Sequence, residues 1–258
     1  MIDVKKLKEL NESGYTQREM SEILGVSRSV IQKNLYKNGW STPNIHNSIK
    51  FDNTVFDKID TEEKAYWLGF LYADGAVSSS SNNVELSLSA SDKDHLEKYK
   101  AFLKSPKTIN VSNITSNGNT YQRCRLTVTD KHFKEQLIKC GCVPQKSTIL
   151  TFPSESIVPK KFITHFVRGY IDGDGCISFT KTGRLVLQII GTKEFLLKIQ
   201  ELFPEFKVLR KDKRWKDNTY CIGVACSNAD KILTILYKDS TIFLQRKYNR
   251  LAVLSSNW

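Results

Sequence analysis

The sequence predicts an α+β chain made of two similar halves, each αββαββα, preceded by a small all-α unit. Three observations predict it. The nonapeptide Trp67-Leu68-Gly69-Phe70-Leu71-Tyr72-Ala73-Asp74-Gly75 returns one hundred residues later as Val167-Arg168-Gly169-Tyr170-Ile171-Asp172-Gly173-Asp174-Gly175. Each copy follows a stretch of helical period and leads into runs that alternate as strands do. The first forty residues carry a separate helical pattern broken by a glycine turn. A repeat at this period means one supersecondary unit used twice, with paired functional groups.

Taken in order, residues 1–40 come first. Val4, Leu7 and Leu10 keep helical spacing. After Gly14-Tyr15, Thr16 with Glu19 three residues on makes a capping box for a helix to Leu24, with Met20, Ile23 and Leu24 on one face. Gly25-Val26-Ser27 forms the turn, and Ser27 caps a second helix to about Lys37 with Val30, Ile31 and Leu35 inside. Helix, short glycine turn and helix resemble a helix-turn-helix, with Arg28 to Lys37 as the recognition helix. Its outward residues Arg28, Ser29, Gln32, Lys33 and Lys37 include no acid and suit phosphates and base edges. Residues 41–60, with Pro43 and several Asn and Ser, read as a linker.

The first half spans 61–150 and the second 151–258. In the first, a helix from Asp60 to Ala73 precedes strands at Ala76–Ser79 and Val84–Ala90. A helix from Asp92 to Leu103 follows. A hairpin from Thr108–Thr115 to Thr120–Thr129 turns on Asn117-Gly118-Asn119, and Lys131–Cys140 is again helical. The second half repeats the order: a helix from Pro159 to Gly173, strands at Cys176–Thr180 and Leu185–Ile190, and a helix from Thr192. Strands at Phe206–Lys211 and Thr219–Cys226 and helices at Ala229–Leu236 and Ile242–Leu251 complete it. Aligned at an offset of one hundred, Leu86 meets Val186, Lys93 meets Lys193 and Leu96 meets Leu196. Near ninety-nine, Thr120-Tyr121 meets Thr219-Tyr220 and Leu137 meets Leu236.

Within the nonapeptide, Gly69 and Ala73 stand at i and i+4 on one helix face, as do Gly169 and Gly173. Glycine in an exposed helix costs about 1 kcal/mol, so its use here points to two helix backbones in close contact across a pseudo-dyad. Gly75 and Gly175 are expected to end the helices, which places Asp74 and Asp174 at their C-termini. Acids there face the negative end of the macrodipole, at about 0.3–1 kcal/mol each, and repel one another across the seam. A cation must offset this, and a hard divalent ion with oxygen ligands is the simplest candidate.

The chain has 258 residues, a formal net charge of +12 and a pI near 9.3, the electrostatic signature of a nucleic-acid partner. No apolar stretch approaches the ~20 residues needed to span a bilayer, so a membrane partner is not expected. No charged-then-apolar leader opens the chain, and the expected setting is a bacterial or phage-infected cytoplasm or an organelle. The six cysteines lack paired spacing and the four histidines are scattered, which argues against a zinc site. Cations cluster at Lys207, Arg210, Lys211, Lys213, Arg214 and Lys216 around one predicted hairpin. Arg123 and Arg125 alternate with Cys124 and Leu126 and share a strand face. Six cations in ten residues favour phosphate contact.

The two motif copies and the matching halves around them, over about residues 52 to 252, resemble the LAGLIDADG homing endonucleases in the form with both copies in one chain. The resemblance implies two sheets forming a saddle over DNA, with outward side chains reading the major groove. It implies a monomeric, site-specific double-strand endonuclease with a long, partly asymmetric target, cutting one phosphodiester per strand to leave short 3′ overhangs. It implies Mg2+ or Mn2+ held by Asp74 and Asp174 with a backbone carbonyl of Ala73 or Gly173. It further implies a basic residue near each scissile phosphate, matched here by Lys146 and Lys247, with Arg246 a rival because the two spacings from the acids are 72 and 73 residues. Tyr72 replaces the first acid of the family motif, whereas Asp172 keeps it. A non-cleaving DNA-binding regulator or an intron RNA maturase on the same scaffold are the alternatives. The regulator is expected to lack one or both acids, and both are present. The chain carries no splice-junction residues at its ends and reads as a free-standing enzyme, encoded in an intron or phage genome, rather than an excised intein.

Overall fold

A computed structural model describes residues 2–13, 15, 17–40, 51–116, 118–212 and 218–255. It divides into two units, Met1–Phe51 and Asp52–Trp258.

The first unit holds helices α1 (Val4–Glu12), α2 (Gln17–Leu24) and α3 (Arg28–Lys37). The Asp3 carboxylate accepts from the Lys6 N–H and caps α1. Gly25 turns the chain at φ +63° with open space where a Cβ would stand, so backbone conformation alone calls for glycine there. Leu7, Met20, Ile31 and Leu35 form the core, with Leu10, Leu24, Val26 and Trp40 packed against it. Two expectations fail: Ile23 and Val30 are 47% and 38% exposed, because three short helices share a core only one or two residues wide on each. Ser27 stands at the N-cap position of α3, but its hydroxyl pairs with Ser29 Oγ at 2.9 Å rather than with the backbone. Gly14, Thr16 and residues 41–50 lie outside the described residues.

The second unit begins earlier than the sequence suggests. Residues 52–60, expected as linker, are packed into it: the Asp52 N–H donates to the Leu103 carbonyl at 2.8 Å. Phe56 is buried, with its ring 5.8 Å from that of Phe102 and 5.6 Å from that of Phe133. The segment has no helical or strand period, so its apolar residues gave no signal in the sequence. Helix α4 (Glu62–Asp74) follows, capped by Thr61 and with Glu62 and Glu63 in its first turn. Then come β1 (Gly75–Val77), β2 (Asn83–Ser89), α5 (Lys93–Phe102), β3 (Asn110–Ser116), β4 (Asn119–Thr129) and α6 (Lys131–Lys139). The second half supplies α7 (Ile163–Asp174), β5 (Gly175–Phe179), β6 (Leu185–Gly191) and α8 (Lys193–Leu202). It ends with β7 (Leu209–Lys211), β8 (Tyr220–Ala225), α9 (Cys226–Tyr237) and α10 (Gln245–Ser255).

Two four-stranded antiparallel sheets result, ordered β1-β2-β4-β3 and β5-β6-β8-β7. Val84, Leu86, Leu88, Cys124, Leu126 and Val128 are buried on one face of the first, and Leu185, Leu187, Ile189 and Ile222 on one face of the second. The registers correct the sequence alignment of the halves. Gly75 pairs with Leu86, whereas Gly175 pairs with Ile189, so Leu86 corresponds to Ile189 and not to Val186. Leu126 pairs with Leu86 as Ile222 pairs with Ile189, which also shifts the second hairpin from its expected offset near ninety-nine. The three extra residues of the β5–β6 hairpin are matched in the first half by a 3-10 turn at Ala90–Asp92, restoring the offset at α5 and α8. Strands β3 and β4 have 7 and 11 residues, against 3 and 6 for β7 and β8.

Helices α4 and α7 form the seam. Residues Ala65 to Tyr72 are all buried, as are Phe166 to Asp172, so both helices are enclosed on every side. A Cβ on Gly69 would run into the Phe166 carbonyl, and one on Gly169 into the Tyr66 carbonyl, which is backbone-to-backbone contact. Gly75 and Gly175 follow the helices as expected but in extended conformation, with φ −72° and −80°. What requires glycine there is space, since a Cβ would lie 2.6 Å from the Leu71 oxygen and 2.5 Å from the Ile171 oxygen.

Candidate active site at the ends of the seam helices

The crossing of α4 and α7 carries their last residues, Asp74 and Asp174, to one place. A Cβ on Gly173 would run into that of Ala73 and stand 3.3 Å from Asp74 Oδ2, so only glycine fits between the acids. Asp74 is half-buried and Asp174 reaches solvent. Burial, and then the Asp174 charge, raise the Asp74 pKa to about 6, against the pull of Lys247, Lys146 and Arg246. Burial also raises that of Asp174, opposed by Lys146, Lys247 and the nearby Tyr170 hydroxyl, which itself donates to the Ile190 carbonyl at 2.8 Å.

The cations expected beside these acids include two lysines of the chain itself. Lys146, buried in a 3-10 turn (Lys146–Thr148) that follows Gln145 at φ +55°, donates to the Gly75 carbonyl. Lys247, 4% exposed on α10, donates to the carbonyls of Ile171 (2.7 Å), Asp172 (2.7 Å), Gly173 (3.1 Å) and Gly175 (2.5 Å). Three of these are carbonyls of the last turn of α7, where Ile171 also accepts from the Gly175 N–H, so the ammonium caps the helix and meets its dipole. Burial lowers the Lys247 pKa to about 8, against the charges of Asp172, Asp74 and Asp174, so it stays mostly protonated at neutral pH. Lys146 and Lys247 are equivalent by contact, Gly75 against Gly175. Arg246 faces away from these carbonyls: its Nε is 3.0 and 2.8 Å from the two Asp92 carboxylate oxygens. A cavity of about 370 Å³ lies beside the first lysine, lined by Tyr72, Ala73, Lys146, Tyr170, Asp174 and Thr192 among others.

The fold of the chain is similar to that of a known structure. The homing endonuclease I-WcaI bound to its DNA recognition sequence superposes with a TM-score of 0.57 at 12% identity, over 81% of this chain and 92% of that one. The chain has the LAGLIDADG homing-endonuclease fold. The I-LtrWI LAGLIDADG homing endonuclease bound to target DNA is also similar, with a TM-score of 0.45 and 13% identity over 73% of this chain and 88% of that one. No protein-family model matches the sequence, and no curated protein matches it either.

On this fold the other candidate residues are dispersed. Arg123 and Arg125 share the outer face of β4 as expected, between the buried Cys124 and Leu126. Arg125 also lies 3.5 Å from Glu85, so part of its charge is answered within the sheet. Lys207, Arg210 and Lys211 are exposed. Arg210 and Lys211, being consecutive on β7, point to opposite sides. Lys213, Arg214 and Lys216 lie outside the described residues. In the first unit Arg28, Ser29, Gln32, Lys33 and Lys37 are all exposed on α3, and so is Tyr36, at 88%, which sequence reading passed over.

It also passed over the groups that brace the site. Asp172, fully buried, accepts from Tyr66 Oη (2.8 Å), Tyr237 Oη (2.5 Å) and the Leu244 N–H (2.7 Å). Arg168, 1% exposed, donates to Glu62 (2.6 Å) and to the carbonyls of Leu236 (2.7 Å) and Ile242 (3.0 Å). A charged residue at an otherwise apolar position of the repeated frame was the available signal, since Leu68 and Tyr72 stand there in the first copy.

Proposed function

We propose that the chain is a site-specific, divalent-metal-dependent DNA endonuclease that cuts both strands of a duplex and leaves short 3′ overhangs. One observation carries the reading: two acids meet at the ends of crossing helices, and each half adds its own buried lysine beside them. A duplicated set of this kind suits two antiparallel strands. The fold it shares is that of a homing endonuclease bound to its DNA recognition sequence.

The donor set fits a hard divalent ion such as Mg2+ or Mn2+. Asp74 and Asp174 offer carboxylate oxygens that repel one another, with the Ala73 and Gly173 carbonyls beside them. Such an ion, when bound, lowers the pKa of a water and offsets charge on the phosphate oxygens. Asp74 and Asp174 would hold it. Lys146 and Lys247 would keep positive charge fixed beside each scissile phosphate, where a preorganised cation stabilises the transition state. Arg123, Arg125, Lys207, Arg210 and Lys211, with Lys213, Arg214 and Lys216, would meet DNA phosphates and base edges along the two sheets. Residues 1–40 would act as a helix-turn-helix clamp through Arg28, Ser29, Gln32, Lys33 and Lys37, extending a long, asymmetric target on one flank. The protein would act as a monomer, since both halves are present in one chain. Among the described residues no helix is long and apolar enough to cross a membrane.

The test is to incubate the full chain with a randomised duplex library, with Mg2+ or with a chelator, and sequence the cut ends. Metal-dependent ends at one sequence are expected. Cutting that persists in chelator, or in the Asp74→Asn/Asp174→Asn double variant, overturns the site. Deleting residues 1–45 should shorten the footprint on one flank and leave the cut positions unchanged.

A further inference from the structure

In each half, the residue two positions before the motif acid holds the segment that delivers the lysine. Tyr72, buried on α4, donates its hydroxyl hydrogen to the Cys140 carbonyl just after α6. Gly141 follows at φ +94°, and a Cβ there would run into the Tyr72 hydroxyl, so chain and ring are fitted to each other. Lys146 comes five residues later. In the second half Asp172 accepts from the Leu244 N–H, three residues before Lys247, and from Tyr237 Oη at the end of α9. The two tethers share a place in the repeat and differ in chemistry. A phenol donates to a carbonyl in one half, and a carboxylate accepts from an amide in the other.

We infer that Tyr72 and Asp172 are positioning residues, Tyr72 for Lys146 and Asp172 for Lys247, each governing the cut made on one strand. This rests on the reading of the two lysines given above. A lysine stem has four rotatable bonds, and its head reaches the carbonyls after the seam helices only if its backbone is held. Lys146 stands on a 3-10 turn of three residues entered through a left-handed Gln145, where Tyr72 holds the chain ahead of the lysine and Asn218 donates to the Thr148 carbonyl behind it at 3.2 Å. Lys247 stands on an α-helix, but the entry to that helix is the Leu244 N–H that Asp172 accepts.

The experiment uses Tyr72→Phe, which removes only the hydroxyl, and Asp172→Asn, which keeps the side-chain size. Two readouts are taken on the full chain. The first is amide hydrogen exchange without metal or DNA. Tyr72→Phe should speed exchange in 140–148 and Asp172→Asn in 238–248, each leaving the other segment as in the parent. The second is single-turnover cleavage of each strand of the duplex recovered from the library, with the strands labelled separately. A displaced catalytic group of this kind should slow one strand by about tenfold or more. Tyr72→Phe is expected to slow the strand that Lys146→Ala slows, and Asp172→Asn the strand that Lys247→Ala slows. Unchanged exchange in both segments overturns the tethers whatever the nuclease does. Local loosening with equal slowing of both strands shows support of the fold and overturns positioning. If neither lysine variant slows either strand while the exchange changes appear, the lysine reading is what fails, and the inference falls with it.

Discussion

The first half holds its lysine on a short turn with a phenol and an amide from the other half; the second holds its lysine with a helix and a wider network that crosses the seam. Around Lys146, Tyr72 on Cys140 and the glycine at 141 are local, and Asn218 reaches the turn from the second half, donating to the Thr148 carbonyl at 3.2 Å. Around Lys247, Asp172 takes hydrogen bonds from Tyr66 of the first half and from Tyr237 and Leu244 of the second. Glu62 of the first half accepts from Arg168 and from the Thr241 N–H of the segment leading to α10. Arg246, next to Lys247, is held by Asp92, again across the seam. The repeat therefore conserves the acid-and-lysine geometry while its braces have diverged. Symmetry in this molecule belongs to the paired acids and lysines, and asymmetry to what stands behind them.

The largest effects should fall on the symmetric groups. Asp74→Asn and Asp174→Asn should each reduce double-strand cleavage by ~1000-fold or more, the scale expected when a metal's carboxylate is lost. Strand-resolved gels would show whether either variant still nicks. Equal loss from both supports a shared site, whereas a clean nick from one variant separates the halves.

Next come the braces. Arg168→Leu, which installs the residue the first half uses, should destabilise the protein by about 3–5 kcal/mol by removing the buried cation beside Glu62 and the donor to the Leu236 and Ile242 carbonyls. Adding Glu62→Gln should recover part of this, and urea unfolding of the two single variants and the double variant measures the coupling. Recovery of nothing would mean that Arg168 acts through packing and its backbone carbonyls alone. Gly69→Ala and Gly169→Ala should cost about 1–3 kcal/mol each, or more, by forcing the helices apart. Because the contact is reciprocal, their midpoints should agree; a clear difference would show that one half yields more than the other.

A smaller effect of opposite sign is expected from Asp74→Asn in chelator. The folded pKa of Asp74, about 6, lies above its ordinary value of 3.8. The folded state therefore holds the proton more tightly than the unfolded chain between these values, and ionisation costs stability as pH rises through that window. The variant should be more stable than the parent by about 1–3 kcal/mol above pH 6, with the gap closing towards pH 4. Thermal melts across that range check it. The smallest change should come from Arg246→Ala, about 1 kcal/mol or less, since the arginine is half exposed.

Much of the fold was legible in the sequence, for identifiable reasons. Gly69 and Gly169 in a helical frame left few explanations other than backbone contact, and β4 alternates too cleanly to be anything but a half-buried strand. The register of β6 was not legible. Leu185-Val186-Leu187-Gln188-Ile189-Ile190 has Gln188 as its one polar residue, so its alternation is weak and the wrong offset matched Val186 to Leu86. The acids were found because helix ends and like charges make them costly, whereas the lysines' carbonyl partners lie more than seventy residues away in sequence. That places helix capping by Lys247, and the bond from Lys146 to the Gly75 carbonyl, beyond any local pattern. The packing of 52–60 was hidden for a related reason, since isolated apolar residues in an irregular segment look the same whether buried or free.

The contact between Gly69 and Gly169 carries one more implication. Each glycine meets the carbonyl of the residue three before the other, Phe166 and Tyr66, so the contact is isologous, the kind that joins identical subunits. In a pair of identical chains every substitution near that axis would appear twice, and a change needing an unlike partner could never be made. Covalent fusion lifts that restriction. Tyr72 can face Cys140 while Asp172 faces Leu244, and Arg168 can seek Glu62 where Leu68 seeks nothing charged. Joining two repeats in one chain thus adds little to the axis itself, but it lets each side of the axis be altered independently of the other.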